Sequence, residues 1–139
     1  MFHHLAIQVR DLPLVERFYR EVLGLRVLKR WPSTDIGDGA SVDRSVWLAS
    51  GDDPTDDSFV ALERVGAGEP TAAEDPARAT RPGLHLIALR IGRGARATWE
   101  RRLADAGAVV EARTSFTLYV RDPEGNRVGL SHWPEPAEA

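Results

Sequence analysis

No cysteine occurs among the 139 residues. Disulfide frameworks, thiolate nucleophiles and cysteine-bound zinc are therefore excluded. No run approaches the ~20 apolar residues needed to cross a bilayer. The amino terminus, from Met1 to Gln8, has neither a basic start nor a signal-length apolar stretch, so a cytoplasmic protein is expected. Positive charge is not in excess. The formal net charge is -3, which gives no general attraction for nucleic acid or an anionic membrane. The sequence contains no Gly-x-Ser-x-Gly elbow, phosphate loop or dinucleotide fingerprint. Asp52, Asp53, Asp56 and Asp57 lack calcium-loop spacing and its closing glutamate, so they read as a solvated turn.

What remains is an ordinary globular composition, 42% hydrophobic and 28% charged. The length suits one domain that buries about two-thirds of its unfolded surface, enough to fold without a metal.

The chain reads twice. His4 to Val9 and Leu86 to Ile91 are both β-prone. Leu5, Ile7 and Val9, like Ile87, Leu89 and Ile91, fall on one face by alternation, and Gln8 and Arg90 sit at matching polar places on the other. A helix should follow each strand. Asp11 is an N-cap and Pro13 is tolerable in a first turn. Leu12, Val15, Phe18, Tyr19, Val22 and Leu23 mark an apolar stripe that stops at Gly24. In the second copy the stripe is Ala95, Thr98, Trp99, Leu103 and Ala106, stopping at Gly107, with Trp99 in the core. Further strands are expected over 25–28, 44–49 and 58–64, then over 108–111, 115–120 and 126–133. Asp122-Pro123-Glu124-Gly125-Asn126 is the last turn, and residues 51–57 form its acidic counterpart. The resulting organisation is module one 1–66, an extended connector 67–82, module two 83–133 and a disordered tail 134–139. The fold class is α+β, two β-α-β-β-β modules whose mixed sheets curve into a cup. A ferredoxin-like sandwich with coincidentally similar halves is the alternative.

The segments His4-Leu5-Ala6-Ile7-Gln8-Val9-Arg10-Asp11-Leu12, Phe18-Tyr19, Leu23-Gly24-Leu25 and Asp122-Pro123-Glu124-Gly125-Asn126-Arg127-Val128-Gly129-Leu130 together resemble the openings and closing strands of the vicinal-oxygen-chelate superfamily of glyoxalases, bleomycin-resistance proteins and ring-cleaving dioxygenases. The resemblance spans nearly the whole chain except the connector and tail. It implies four cup-facing positions that hold a divalent ion in metal-using relatives, where the ion polarises vicinal oxygens of a substrate. Carried over one by one, they fall on His4, Ala61, Leu86 and Gly129. One of the four keeps a ligating side chain, and a catalytic site usually needs about three protein ligands. The expectation is therefore no resident cofactor. A divalent metal would need an irregular set around His4, Glu63 and a shifted His85, or ligands from a second chain.

Small and apolar replacements at those positions leave room for a ligand pocket instead. Its candidate residues are His4, Gln8, Trp47, Phe59, Glu63, Arg90 and Tyr119. Arg90 either pairs with Glu63 or grips an anion. Trp47, Phe59 and Tyr119 are core or a stacking platform. Trp31 falls in a glycine-bearing loop, 31–44, that either closes over the pocket or forms a disordered edge. His3 and His85 are expected on the helix side or an edge, and His132 at the surface or an interface. The expected partners are a small molecule and a second copy in a homodimer. The alternatives are a metal-dependent lyase, isomerase or dioxygenase, and an interaction domain whose cup is filled by its own side chains.

Overall fold

The computed structural model describes residues 2–33, 43–49 and 58–135. Residues 34–42 of the expected closing loop lie outside it, as do the acidic turn and the end of the tail. The chain divides into two compact units, Met1–Thr71 and Ala72–Ala139.

In the first unit β1 is His4–Val9, α1 is Leu12–Arg17, β2 is Arg26–Pro32, β3 is Asp43–Ala49 and β4 is Phe59–Arg64. The Asp11 carboxylate accepts from Leu14 N at 3.0 Å and caps α1. The helix runs on through a π-helical turn, Phe18–Val22. The sheet order is β1-β4-β3-β2, with β1 parallel to β4 and the other pairs antiparallel. Alternation sends Ile7, Val9, Val46, Leu48, Val60 and Leu62 to one face, where they are buried with Leu12, Val15, Phe18 and Tyr19 of the helix.

The second unit repeats the plan with β5 Ile87–Arg90, α2 Arg96–Asp105, β6 Ala112–Arg113, β7 Thr117–Arg121 and β8 Arg127–Ser131. Its sheet order, β5-β8-β7-β6, has the same parallel pair between first and last strands. The registers match as well: Ala6 pairs with Ala61 in the first sheet, Ala88 with Gly129 in the second. Each unit is thus β-α-β-β-β, and the α+β architecture expected from the sequence is present in both.

Four local expectations need correction. Trp31 is in strand β2, not in a loop. The strand expected at 108–111 forms at Ala112–Arg113, and Val109 is 78% exposed; an apolar run without a pairing partner does not become a strand. On α2 only Leu103 is fully buried, Trp99 is half-buried under the Arg102 guanidinium, and Thr98 and Ala106 are exposed. The covered face is instead Arg96, Trp99, Glu100 and Leu103, spaced three, one and three apart. The connector is not simply extended, since it holds two short 3₁₀ turns, Ala72–Glu74 and Pro76–Ala79.

One ion network ties α1 to the edge of the first sheet. Glu16, 8% exposed, bonds Arg30 of β2, and Arg20 lies 3.2 Å away. Arg30 also reaches Asp43 of β3 at 3.0 Å. Burial pushes the Glu16 carboxyl up, but the hydrogen bonds and charges of Arg30 and Arg20 outweigh it and hold the group below its ordinary value of 4.5. A carboxyl depressed in the folded state stabilises the fold above its unfolded pKa, and the contribution is lost as pH falls through the folded one. Glu16→Gln should therefore cost about 1–2 kcal/mol at neutral pH, less than a fully buried pair because Arg30 is partly solvated. In urea unfolding the gap to the parent should close below about pH 4.

Candidate ligand-binding face of the first sheet

The face of the first sheet opposite α1 carries a grid set by strand register. In the parallel pair β1/β4, His4 stands beside Phe59, Ala6 beside Ala61 and Gln8 beside Glu63. On β3, Ala49, Trp47 and Ser45 continue these three rows, and on β2 Arg26, Lys29 and Trp31 complete them. Register partners share a face, so these side chains belong to one surface.

Its aromatic rings are in contact. His4 stacks on Phe59 at 4.8 Å with 5° between the planes, and Phe59 on Trp47 at 4.5 Å with 23°. Trp47 meets Trp31 at 5.1 Å, and the Lys29 ammonium lies 4.9 Å from the Trp31 ring. The rings form a row across all four strands. His3 joins at the β1 edge, edge-on to Phe59, with its Nδ1 2.8 Å from His4 Nδ1. Beside the rings, Ala6 and Ala61 supply a floor with no side chain beyond Cβ.

The remaining row is polar: Gln8, Glu63, Ser45 and Trp31. Gln8 is exposed and Glu63 half-buried. Ser45 is 2% exposed. Ser45 Oγ and Trp31 Nε1 are buried without a hydrogen-bond partner among the described residues. An unmet buried donor costs about 1–3 kcal/mol.

The second sheet has its own face opposite the apolar core. A Cβ on Gly129 would lie 3.1 Å from Thr117 Cγ2, 3.6 Å from Ala88 Cβ and 3.7 Å from Leu86 Cδ1, which places these four together. Arg90 is exposed on this face. Tyr119 shares it, but the Arg127 guanidinium already covers its ring at 4.4 Å. Arg127 donates to Glu111 at 2.8 Å and to His85 Nε2 at 2.6 Å. Guanidinium only donates, so His85 has its Nε2 lone pair engaged.

His132 departs from expectation. It is 3% exposed rather than at the surface. Its Nε2 faces the Arg96 guanidinium at 3.1 Å, its Nδ1 bonds the Glu135 carbonyl, and Phe116 lies edge-on. With Arg96 also donating to Thr114 O at 3.0 Å, the imidazole ties the end of β8 to α2.

Ligating atoms are sparse at the four positions that hold an ion in metal-using relatives. Of His4, Ala61, Leu86 and Gly129, only His4 bears a ligating atom. Glu63 stands farther along the sheet. It lies four residues along β4 from Phe59, the register partner of His4, or about 13 Å at the strand rise of ~3.3 Å per residue. Zinc bonds to histidine and carboxylate are only ~2.0–2.2 Å long. Among the described residues no group of three or more His, Asp or Glu side chains is placed to hold a metal. His4 and Glu63 thus stand at opposite ends of the paired stretch of β1 and β4, and His85 Nε2 bonds Arg127.

The sequence pattern did not single out Lys29 or Ser45, and it placed Trp31 in a loop. Trp31 follows charged residues in β2 and has no alternating apolar pattern to mark it as a strand residue.

Comparison with known proteins agrees with this architecture. No curated protein sequence matches at a significant level. Among solved structures, a glyoxalase/dioxygenase from Nostoc punctiforme superposes with a TM-score of 0.74 at 20% identity, covering 97% of this chain and 92% of that one. TnmS3, an antibiotic-binding protein from Streptomyces sp. CB03234, gives 0.62 at 21% identity, covering 99% and 96%. A variant of the fosfomycin resistance protein FosX from Listeria monocytogenes, complexed with Mn(II) and 1S,2S-dihydroxypropylphosphonic acid, gives 0.62 at 11% identity, covering 94% and 88%. At these identities the likeness shows a shared fold. The sequence profile of the Glyoxalase/Bleomycin resistance protein/Dioxygenase superfamily matches residues 1–130, and with its duplicated β-α-β-β-β units the chain belongs to that superfamily.

Proposed function

We propose that this protein binds a planar or amphipathic small molecule on the aromatic face of its first sheet, without a resident metal ion. The observation that carries the reading is the stacked row His4–Phe59–Trp47–Trp31 beside a floor of Ala6 and Ala61. Rings stacked on one another turn their inner faces to each other, so a planar guest meets the outer faces and edges of the row, at exposed His4 and half-buried Trp47. Alanine at position 61 removes a ligating atom and leaves room for that guest. Gln8 and Glu63 supply the polar edge that orients it. Arg90 and Tyr119 are the candidates on the second sheet, Arg90 as an exposed cation and Tyr119 through its hydroxyl, its ring being covered. The antibiotic-binding relative TnmS3 supports the class of activity and not a particular ligand.

A metal-dependent lyase, isomerase or dioxygenase is the competing reading. The Mn(II) complex of FosX keeps it in view, and the sparse donor set described above weighs against it. Nile red, a neutral planar dye, separates the two. Its fluorescence should rise on binding with an affinity unchanged by 1 mM EDTA, a concentration of about a thousandfold excess over micromolar sites. Binding abolished by chelator and restored by Mn(II) would overturn the metal-free reading.

A further inference from the structure

Three polar groups meet on one row of the aromatic face. Glu63 and Ser45 are register partners in β4 and β3, and Ser45 and Trp31 are partners in β3 and β2. Partners on one face hold their Cβ atoms about 4.5–5.5 Å apart. Glu63 is half-buried, with no hydrogen bond or ion pair among the described residues of its own unit. Ser45 Oγ and Trp31 Nε1 are both buried and unpartnered among the described residues. A hydroxyl and an indole N–H can each donate, whereas a carboxylate accepts. The row therefore reads acceptor, donor, donor, beside rings that lie nearly parallel, His4, Phe59 and Trp47.

Resting on the proposed ligand-binding face, we infer that its guest is a planar heterocycle with a lactam or imide edge, an N–H next to a C=O. The N–H would donate to Glu63. The carbonyl oxygen would accept from Ser45 Oγ and, on its second lone pair, from Trp31 Nε1. A ring with this edge stacks through its π face, meets both buried donors and pairs with the half-buried Glu63 in one approach. A plain hydrocarbon would leave both buried donors unmet and cover the Glu63 carboxylate. An anionic edge would set like charges together at Glu63.

Lumazine and 1,3-dimethyllumazine test this. Both are flat pteridine-diones with the same carbonyls, and methylation removes the N–H groups. Quenching of tryptophan fluorescence reports binding. Lumazine should bind about tenfold or more tighter than its dimethyl analogue, the scale of one hydrogen bond to a charged acceptor. Glu63→Leu should abolish that preference. Ser45→Ala should weaken lumazine about fivefold while leaving the melting temperature unchanged or higher, since it removes an unpaired buried hydroxyl. A merely structural serine would not separate the two readouts. Equal affinity for the two pteridines, or a Glu63-dependent preference for the planar cation proflavine over lumazine, would overturn the edge assignment while Nile red binding on the face stands. Loss of Nile red binding as well would remove the face itself.

Discussion

Gly125→Ala should lower the stability of the protein by about 3 kcal/mol or more, a fall in melting temperature on the order of 10 °C. Gly125 has φ +87, and a Cβ built on it would lie 2.5 Å from Ala73 N and 2.8 Å from Ala73 Cα. Those atoms are backbone, and Ala73 N is itself held by a 2.9 Å bond to the Glu124 carbonyl. The turn around it cannot yield cheaply. The Asp122 carboxylate accepts from Glu124 N at 3.0 Å, Asn126 N at 2.9 Å and Asn126 Nδ2 at 2.8 Å. Gly125 N donates to Asp122 O, and the Gly125 carbonyl accepts from Arg121, both at 2.9 Å. A side chain here must therefore break several bonds or displace the 3₁₀ turn at Ala72–Glu74. Gly66→Ala is the control, since no atom lies within 4 Å of its Cβ position; its effect should stay within about 0.5 kcal/mol. Thermal unfolding followed by circular dichroism compares the two. Equal melting temperatures would show that the Gly125 turn relaxes freely.

The parts legible in the sequence are those governed by local periodicity. Alternation in His4–Val9 placed His4, Ala6 and Gln8 together, and the same rule placed Glu63 two residues beyond Ala61 on one face. The turn at Asp122–Asn126 carries its own instructions, because proline and glycine act on the backbone at their own positions. Less legible were elements whose faces mix apolar and charged residues. Arg30 points to the helix side of β2, where Glu16 neutralises it, so Arg26–Pro32 shows no alternation and Trp31 read as loop. Likewise Arg96 and Glu100 occupy the covered face of α2 because each finds a partner, Thr114 O and Arg113. Long stems let such residues cover apolar surface while their heads remain bonded, and hydropathy patterns cannot see the partners. His132 was misplaced for the same reason: its burial depends on Arg96, 36 residues away in sequence. The unmet donors of Ser45 and Trp31 are a property of register between strands, which no single segment encodes.

The largest effect on ligand binding is expected from Trp47→Ala. Trp47 is the centre of the row, in contact with Phe59 on one side and Trp31 on the other. It is half-buried, unlike Phe59 at 6% exposure, so its truncation removes guest-facing ring area without emptying the core. An aromatic anchor of this kind contributes about 2 kcal/mol or more, and affinity for Nile red should fall roughly 30-fold. Trp47→Phe keeps a stacking ring against Phe59 and should remain within about threefold of the parent. Trp99→Ala serves as the counter-variant, since Trp99 lies on α2 beneath Arg102, away from either sheet's strands in sequence. It should cost stability and leave Nile red affinity unchanged. Measured together, the three variants separate loss of the platform from loss of the fold. An affinity for Nile red that survives Trp47→Ala intact would mean that the guest sits elsewhere, and the aromatic row would revert to a structural element of the first sheet.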